Sequence, residues 1–205
     1  MKSKKIILVG TEEDIIFELK NANYELMGYF GNRKKNVLKY LGKINEIDNY
    51  LKKNPKVKIC MAMGPLERRK QLLKKYSKNL LTYISAESVI SSSVKIGKGA
   101  FIQNSCFIGN YVEIGEACKI NVGVKIHHNS RVGSFTDIAP SSTILGNVKI
   151  GYGCYIGSGT VVREKLKISN HIMTGINSAV VKNLTQRGLY VGIPAKRIKD
   201  SYERP

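Results

Sequence analysis

The chain has 205 residues, with 34 Lys and Arg against 15 Asp and Glu and a formal net charge of +19. The excess is spread: residues 1–88 hold 19 basic and 9 acidic side chains, residues 89–205 hold 15 and 6. That length sets one or two compact domains, and spread positive charge concentrates anionic ligands. No nucleic-acid module and no basic stripe interleaved with aromatics is present, so nucleic acid is not the expected partner.

The opening MKSKKIILVG has too short an apolar run before Glu12, Glu13 and Asp14 for a signal peptide or membrane helix. A cytoplasmic chain with no membrane insertion is the expectation. Residues 5–9 read as a buried strand ending at Gly10. Residues 13–21 read as a helix with Ile15, Ile16 and Leu19 on one face. Tyr24 to Phe30 is a second strand, 44–54 a helix with Ile44, Ile47 and Leu51, and Lys56 to Met63 a third strand. Pro65 suits the first turn of a helix over 65–78, which is basic and amphipathic. Residues 80–85 form a last strand. Alternating strands and helices predict a small parallel α/β domain, Rossmann-like, over residues 1–85.

Ligands of such sheets bind beyond the carboxyl ends of the strands. The candidate residues are Gly10 and Thr11, then Gly31, Asn32 and Arg33, then Gly64. The first loop keeps one glycine where the dinucleotide fingerprint has three. Acidic Glu12, Glu13 and Asp14 suit the helix start themselves and repel phosphate there. Gly10 serves either packing or a ligand, and Arg33 either a ligand or a solvated basic loop.

From residue 84 an aliphatic side chain recurs every six positions. The rungs are Ile84, Ile90, Ile96, Ile102, Ile108, Ile114, Ile120, Ile126, Val132, Ile138, Ile144, Ile150, Ile156, Val162 and Ile168. Four residues after each rung comes a side chain that is mostly small or β-branched, including Cys106, Cys118 and Cys154. These cysteines read as small buried hydrophobes suited to a reducing cytosol. Glycine often follows a rung, and turning glycines tolerate backbone angles closed to other residues. Period six is neither helix nor plain strand; it is the mark of a parallel β-helix of three-hexapeptide, 18-residue coils. Each coil buries its aliphatic edge only against its neighbours. This β-helix is expected over residues 86–184, with a C-terminal segment over 185–205.

The histidines are His127, His128 and His171. Ile126 points inward, so His127 and His128 fall on the following turn. One coil later His128 meets Gly146 and Asn129 meets Asn147. A glycine there leaves open space above an exposed imidazole, which is suited to taking a proton near neutral pH. Two adjacent histidines and a distant third do not make a zinc site, so no metal is expected.

The segments His128-x-x-x-x-Gly133, Gly146-Asn-Val-Lys-Ile-Gly151 and Val191-Gly-Ile-Pro-Ala-Lys196 resemble the hexapeptide-repeat sugar acyltransferases of the sialic-acid O-acetyltransferase-like family. The likeness is greatest to the bacterial nucleotide-amino-sugar N-acetyltransferases. The resemblance covers nearly the whole chain. It implies a left-handed β-helix, a homotrimer, acetyl-CoA as co-substrate and a nucleotide-linked 4-amino-deoxy sugar as acceptor, in bacterial surface glycan biosynthesis. His128 takes the general-base position, and Asn129 stands where an acid often orients the base. Asp137 stands where some members have a second histidine near the acetyl thioester. Acetyl-CoA is expected near Asp137, Gly146, Ser158, Gly175, Ile176, Pro194, Lys196 and Arg197. The nucleotide loop is reduced to Gly10-Thr-Glu and Gly31-Asn32. A sugar O-acetyltransferase of the same fold and a non-catalytic β-helix that binds nucleotides or organises partners are the alternatives.

Overall fold

The computed structural model describes residues 4–62 and 66–200. Backbone contacts divide the chain between Thr82 and Tyr83 into two compact units.

The first unit is a parallel sheet with its helices. β1 (Lys5–Val9), β2 (Glu25–Phe30), β3 (Tyr40–Gly42) and β4 (Lys58–Met61) lie in the order β3-β2-β1-β4. Ile6, Ile7, Leu8 and Val9 are all fully buried. A strand buried on both faces reads as a continuous apolar run, which is why Lys-Ile-Ile-Leu-Val occupies the interior of the sheet. α1 (Glu13–Asn21) buries Ile15, Ile16 and Leu19 as expected. The helix expected over 44–54 divides into a 3₁₀ turn (Ile44–Glu46) and α2 (Ile47–Lys53). α3 (Leu66–Tyr76) keeps Leu72 and Tyr76 inward; Pro65 and Met63 lie outside the described residues.

Two local expectations change. β3 was not foreseen, because three residues offer no periodicity to read. The strand expected over 80–85 also splits. Leu80 bridges Ile59 at the edge of the sheet, whereas Tyr83–Ile84 pairs with Phe101–Ile102 in the second unit. Ile84 is the first rung of the ladder, so the six-residue register and not local strand propensity decides its partner.

The second unit is a parallel β-helix of three walls, each built from two-residue strands 18 residues apart. The first wall carries Phe101, Lys119, Asp137 and Tyr155 outward, in register. The second carries Val89, Phe107, Lys125, Thr143, Val161 and Ala179. The third carries Lys95, Glu113, Arg131, Lys149 and Lys167. The rungs from Ile102 to Ile168 all point inward and are buried. Ile84 is exposed and Ile90 and Ile96 are half-buried, as befits rungs of an end coil.

The small lane does more than fill space. The buried hydroxyls of Ser130, Thr136, Ser142 and Thr160 each donate to a carbonyl fifteen residues on, at 2.9–3.0 Å. Cys106, Cys118 and Cys154 make the same contact through Sγ at 3.1–3.2 Å. A buried hydroxyl without a partner costs about 1–3 kcal/mol, so the lane admits polar side chains only where the next coil offers its carbonyl.

The glycines after the rungs are not there for unusual backbone angles. Positive φ, between 52° and 71°, falls on every sixth residue from Gly99 to Asn177, two residues further along than those glycines. Phe135, Lys165 and His171 accept it there. Gly97 and Gly133 instead lie against the backbone of the next coil, where an added Cβ would come within 2.5 Å of Gly115 and Gly151.

Gly133→Ala therefore forces two coils apart although its φ suits any residue. We expect a loss of about 1–3 kcal/mol, as for overpacking elsewhere, read as an earlier thermal transition. An unchanged transition would refute the close-approach role.

Candidate active site

His127 and His128 follow the second-wall strand Lys125–Ile126. Ile126 is drawn inward by the core, so the next residues must turn the corner, and Asn129 completes it with φ of 57°. Asparagine is among the side chains that tolerate this left-handed conformation. His127 is half-buried with its ring 5.7 Å from that of Phe107, whereas His128 is exposed.

The imidazole of His128 lies over Gly146, one coil on. A Cβ placed on Gly146 would fall 2.7 Å from both Nε2 and Cε1 of His128. The space expected to be open above the imidazole is thus the seat of the ring itself. Gly146 does not have positive φ, so contact with the ring and not backbone conformation calls for a glycine. Gly146 is buried, and its N–H has no acceptor among the described residues. Its carbonyl accepts from the Lys165 N–H at 2.9 Å. A proton-accepting nitrogen and an unpaired amide donor therefore sit on adjacent coils.

Asn129 reaches back to His128, with Nδ2 3.0 Å from Nδ1. A carboxylate at this point could only accept, which fixes the proton on Nδ1. A carboxamide holds either tautomer: Nδ2–H donates to a bare Nδ1, or Oδ1 accepts from Nδ1–H after a half-turn. Only the second leaves Nε2 free to take a proton.

A cavity of about 300 Å³ opens beside the pair toward the earlier coils. Its walls include Val89 and Phe107, which are exposed apolar side chains, with Ser91 and Asn110 joined by a 2.6 Å hydrogen bond. Sequence reasoning passed over these residues. Phe107 stands 18 residues before Lys125 and Asn110 18 before His128, so coil arithmetic alone could have found them.

The other expected residues gather elsewhere. Ser158, Gly175 and Ile176 lie at the corner before the second wall, on the last coils. The Ser158 carbonyl accepts from Asn177 at 2.8 Å, and Ile176 is exposed. Gly175 faces Val191, whose Cγ1 would lie 2.7 Å from an added Cβ. The Pro194–Lys196 segment is tied to the second wall by Ala195 N–H donating to the Ala179 carbonyl at 2.8 Å. Lys196 is exposed, and Arg197 is held by Asp200 at 2.8 Å and by the Arg187 carbonyl at 2.9 Å. Asp137 belongs to the first wall, buried in register with Lys119. Burial pulls the Lys119 ammonium below its ordinary value, and the Asp137 carboxylate opposes that. Within one chain Asp137 and His128 are on different walls.

In the first unit the candidate glycines Gly10 and Gly31 serve the sheet. The Gly10 N–H donates to the Phe30 carbonyl at 3.0 Å with φ of 99°, and the Gly31 N–H donates to Gly42 at 3.1 Å. Neither donor is left for a phosphate. Thr11 is half-buried, Asn32 and Arg33 are exposed, and Gly64 lies outside the described residues. Cys60 is no nucleophile: burial pushes its thiol up to about 12. Among the described residues no three His, Cys, Asp or Glu side chains converge, and no helix is long and apolar enough to cross a membrane.

A Gly146→Ala chain should fold, because its backbone conformation suits alanine, but the His128 ring must swing off its seat. A crystal structure of the variant checks this, and an unmoved ring would overturn the account of Gly146.

No family model and no curated protein matches the chain. Solved structures do. The acetyltransferase domain of PglB from Neisseria gonorrhoeae is 20% identical with a TM-score of 0.86, over 96% of this chain and 100% of that one. PerB from Caulobacter crescentus is 22% identical with a TM-score of 0.85, over 97% and 98%. WeeI from Acinetobacter baumannii is 18% identical with a TM-score of 0.62, over 96% and 100%. Over nearly its whole length, this chain has the fold of these proteins.

Proposed function

We propose that this protein is an acetyl-CoA-dependent N-acetyltransferase acting on the amino group of a nucleotide-linked 4-amino-deoxy sugar, for bacterial surface glycan biosynthesis. It works as a cytoplasmic homotrimer with a left-handed β-helix. The observation that carries the reading is the seat of His128 on Gly146, a buried residue whose N–H has no acceptor among the described residues. The solved relatives support the substrates: the PglB domain was crystallised with acetyl coenzyme A, and PerB, a perosamine N-acetyltransferase, with CoA and GDP-perosamine.

The acceptor amine occupies the cavity beside Phe107 and attacks the thioester carbonyl, forming the C–N bond. His128 Nε2 takes the proton that the nitrogen loses, while Asn129 Oδ1 holds Nδ1–H. The Gly146 N–H donates to the oxygen as it gains charge; one such donor is worth about 3 kcal/mol. Collapse breaks the C–S bond, and the imidazolium returns its proton to the departing CoA sulfur. Ser158, Gly175, Ile176, Pro194, Lys196 and Arg197 hold CoA along the last coils. Asp137 joins the site across a subunit boundary. The unit up to residue 85 holds the nucleotide.

A second reading, transfer to a sugar hydroxyl, draws on the lining of the cavity. It contains two histidines and no carboxylate to retain an ammonium. Paired amino and hydroxyl acceptors, compared for turnover, separate the two.

His128→Ala should lower turnover by about two to four orders of magnitude, the range for a lost general base, with folding retained because the side chain is exposed. Release of CoA thiol is the readout, and near-normal turnover would sink the assignment. Asn129→Asp should move the acid limb of the rate profile to higher pH by about one unit. A carboxylate beside Nδ1 stabilises the imidazolium, so the free base appears later as pH rises. A limb that stays in place, or moves down, would show that residue 129 does not act on the imidazole.

A further inference from the structure

The first unit contains a groove of about 370 Å³ between α3 and the loops that follow β2 and β3. That volume falls in the range of small-molecule sites. Its floor is apolar and ordered: Leu72 and Tyr76 are buried. Asp48 accepts a hydrogen bond from the Tyr76 hydroxyl at 2.8 Å and another from Lys75, which fixes one wall and neutralises that lysine. The hydrogen bonds from Lys75 and Tyr76 hold the Asp48 carboxyl below the usual range, so it stays ionised. Three carboxamides, Asn32, Asn45 and Gln71, stand around the rim and offer both donors and acceptors. Arg68 is the remaining cation of the lining, and among the described residues it makes no ion pair.

An apolar floor, a rim of amides and one uncompensated guanidinium fit a flat heterocycle joined to an anion. The guanidinium fork matches phosphate oxygens two at a time, while the amides read the edge of a ring. The loop after β1 is poorly made for the same ligand. The Gly10 N–H is spent on the Phe30 carbonyl, and Glu13 and Asp14 occupy the first turn of α1.

We propose that this groove, and not the loop after β1, binds the nucleoside diphosphate of the acceptor, with the base over Leu72 and Tyr76 and the phosphates at Arg68. The inference rests on the acetyl-transfer reading only in naming the acceptor as the carrier of the nucleotide. The nucleotide end of CoA has the same chemistry, so the experiment must separate the two sources.

Calorimetric titration of the full chain with UDP, GDP, dTDP and 3′,5′-ADP does so, using Arg68→Glu, Gln71→Ala and Arg33→Ala as variants. At least one nucleoside diphosphate should bind. Arg68→Glu should weaken it tenfold or more, Gln71→Ala about threefold or more, and Arg33→Ala less than twofold. If Arg68→Glu does not fold, Arg68→Gln should still weaken binding threefold or more. No binding of any nucleoside diphosphate overturns the proposal. So does Arg68-independent binding, or Arg68-dependent binding of 3′,5′-ADP alone. Acetyl transfer distinguishes this failure from that of the functional reading. CoA release with an amino sugar that is indifferent to Arg68 leaves the enzyme standing and removes the groove. Arg68-dependent nucleotide binding without CoA release does the reverse.

Discussion

The second unit depends on one constraint, an 18-residue register between coils. Lys125 N–H donates to Ser142 and His127 N–H to Ile144, and the same pair of bonds recurs around every wall. Because these bonds hold each coil in register with its neighbours, an aliphatic rung has only one place to go, inward onto the rung 18 residues away. A left-handed residue at every sixth position turns the chain between walls. The turn does not require glycine, since Tyr111, Phe135 and Lys165 serve as well as Gly123. What does require glycine is the close approach of coils just after third-wall rungs, as at Gly97, Gly115 and Gly133, where the neighbour's backbone leaves no room for a Cβ.

The candidate site is a local use of that same regularity. The register places His128 above residue 146, and a glycine at 146 leaves room for the imidazole there. No special loop is needed; one missing side chain converts a turn into a seat. The N–H of Gly146 is without an acceptor among the described residues. Preorganised donors of this kind cost no reorganisation when charge develops. Asn129 is the softer element, since a carboxamide accepts either imidazole tautomer where a carboxylate would enforce one.

The first unit shows how a loop that looks like a ligand loop can be structural. Gly10 has a left-handed φ, and its N–H closes onto β2; Gly31 closes onto β3. Both glycines end strands, and their N–H groups are taken by the neighbouring strands. The polar concavity lies instead against α3, whose basic face reads in isolation as a solvated surface. The tie of Asp48 to Lys75 and Tyr76 joins residues 27 and 28 apart in sequence, and no local pattern announces it.

The sequence alone determined the β-helix, the inward rungs and the pairing of His128 with Gly146, because a strict period of six leaves one stacking solution and every contact then follows by adding 18. It also determined β1, α1 and the apolar face of α3, whose burial patterns are local. Tertiary structure alone decided the rest. It gave β3 its place, assigned Tyr83–Ile84 to the β-helix, put the imidazole on Gly146 rather than beneath an empty notch, and gathered Asn32, Arg68 and Gln71 around one groove. These outcomes hang on which non-local partner satisfies a hydrogen bond or fills a space. Period and composition carry that information only where the chain repeats.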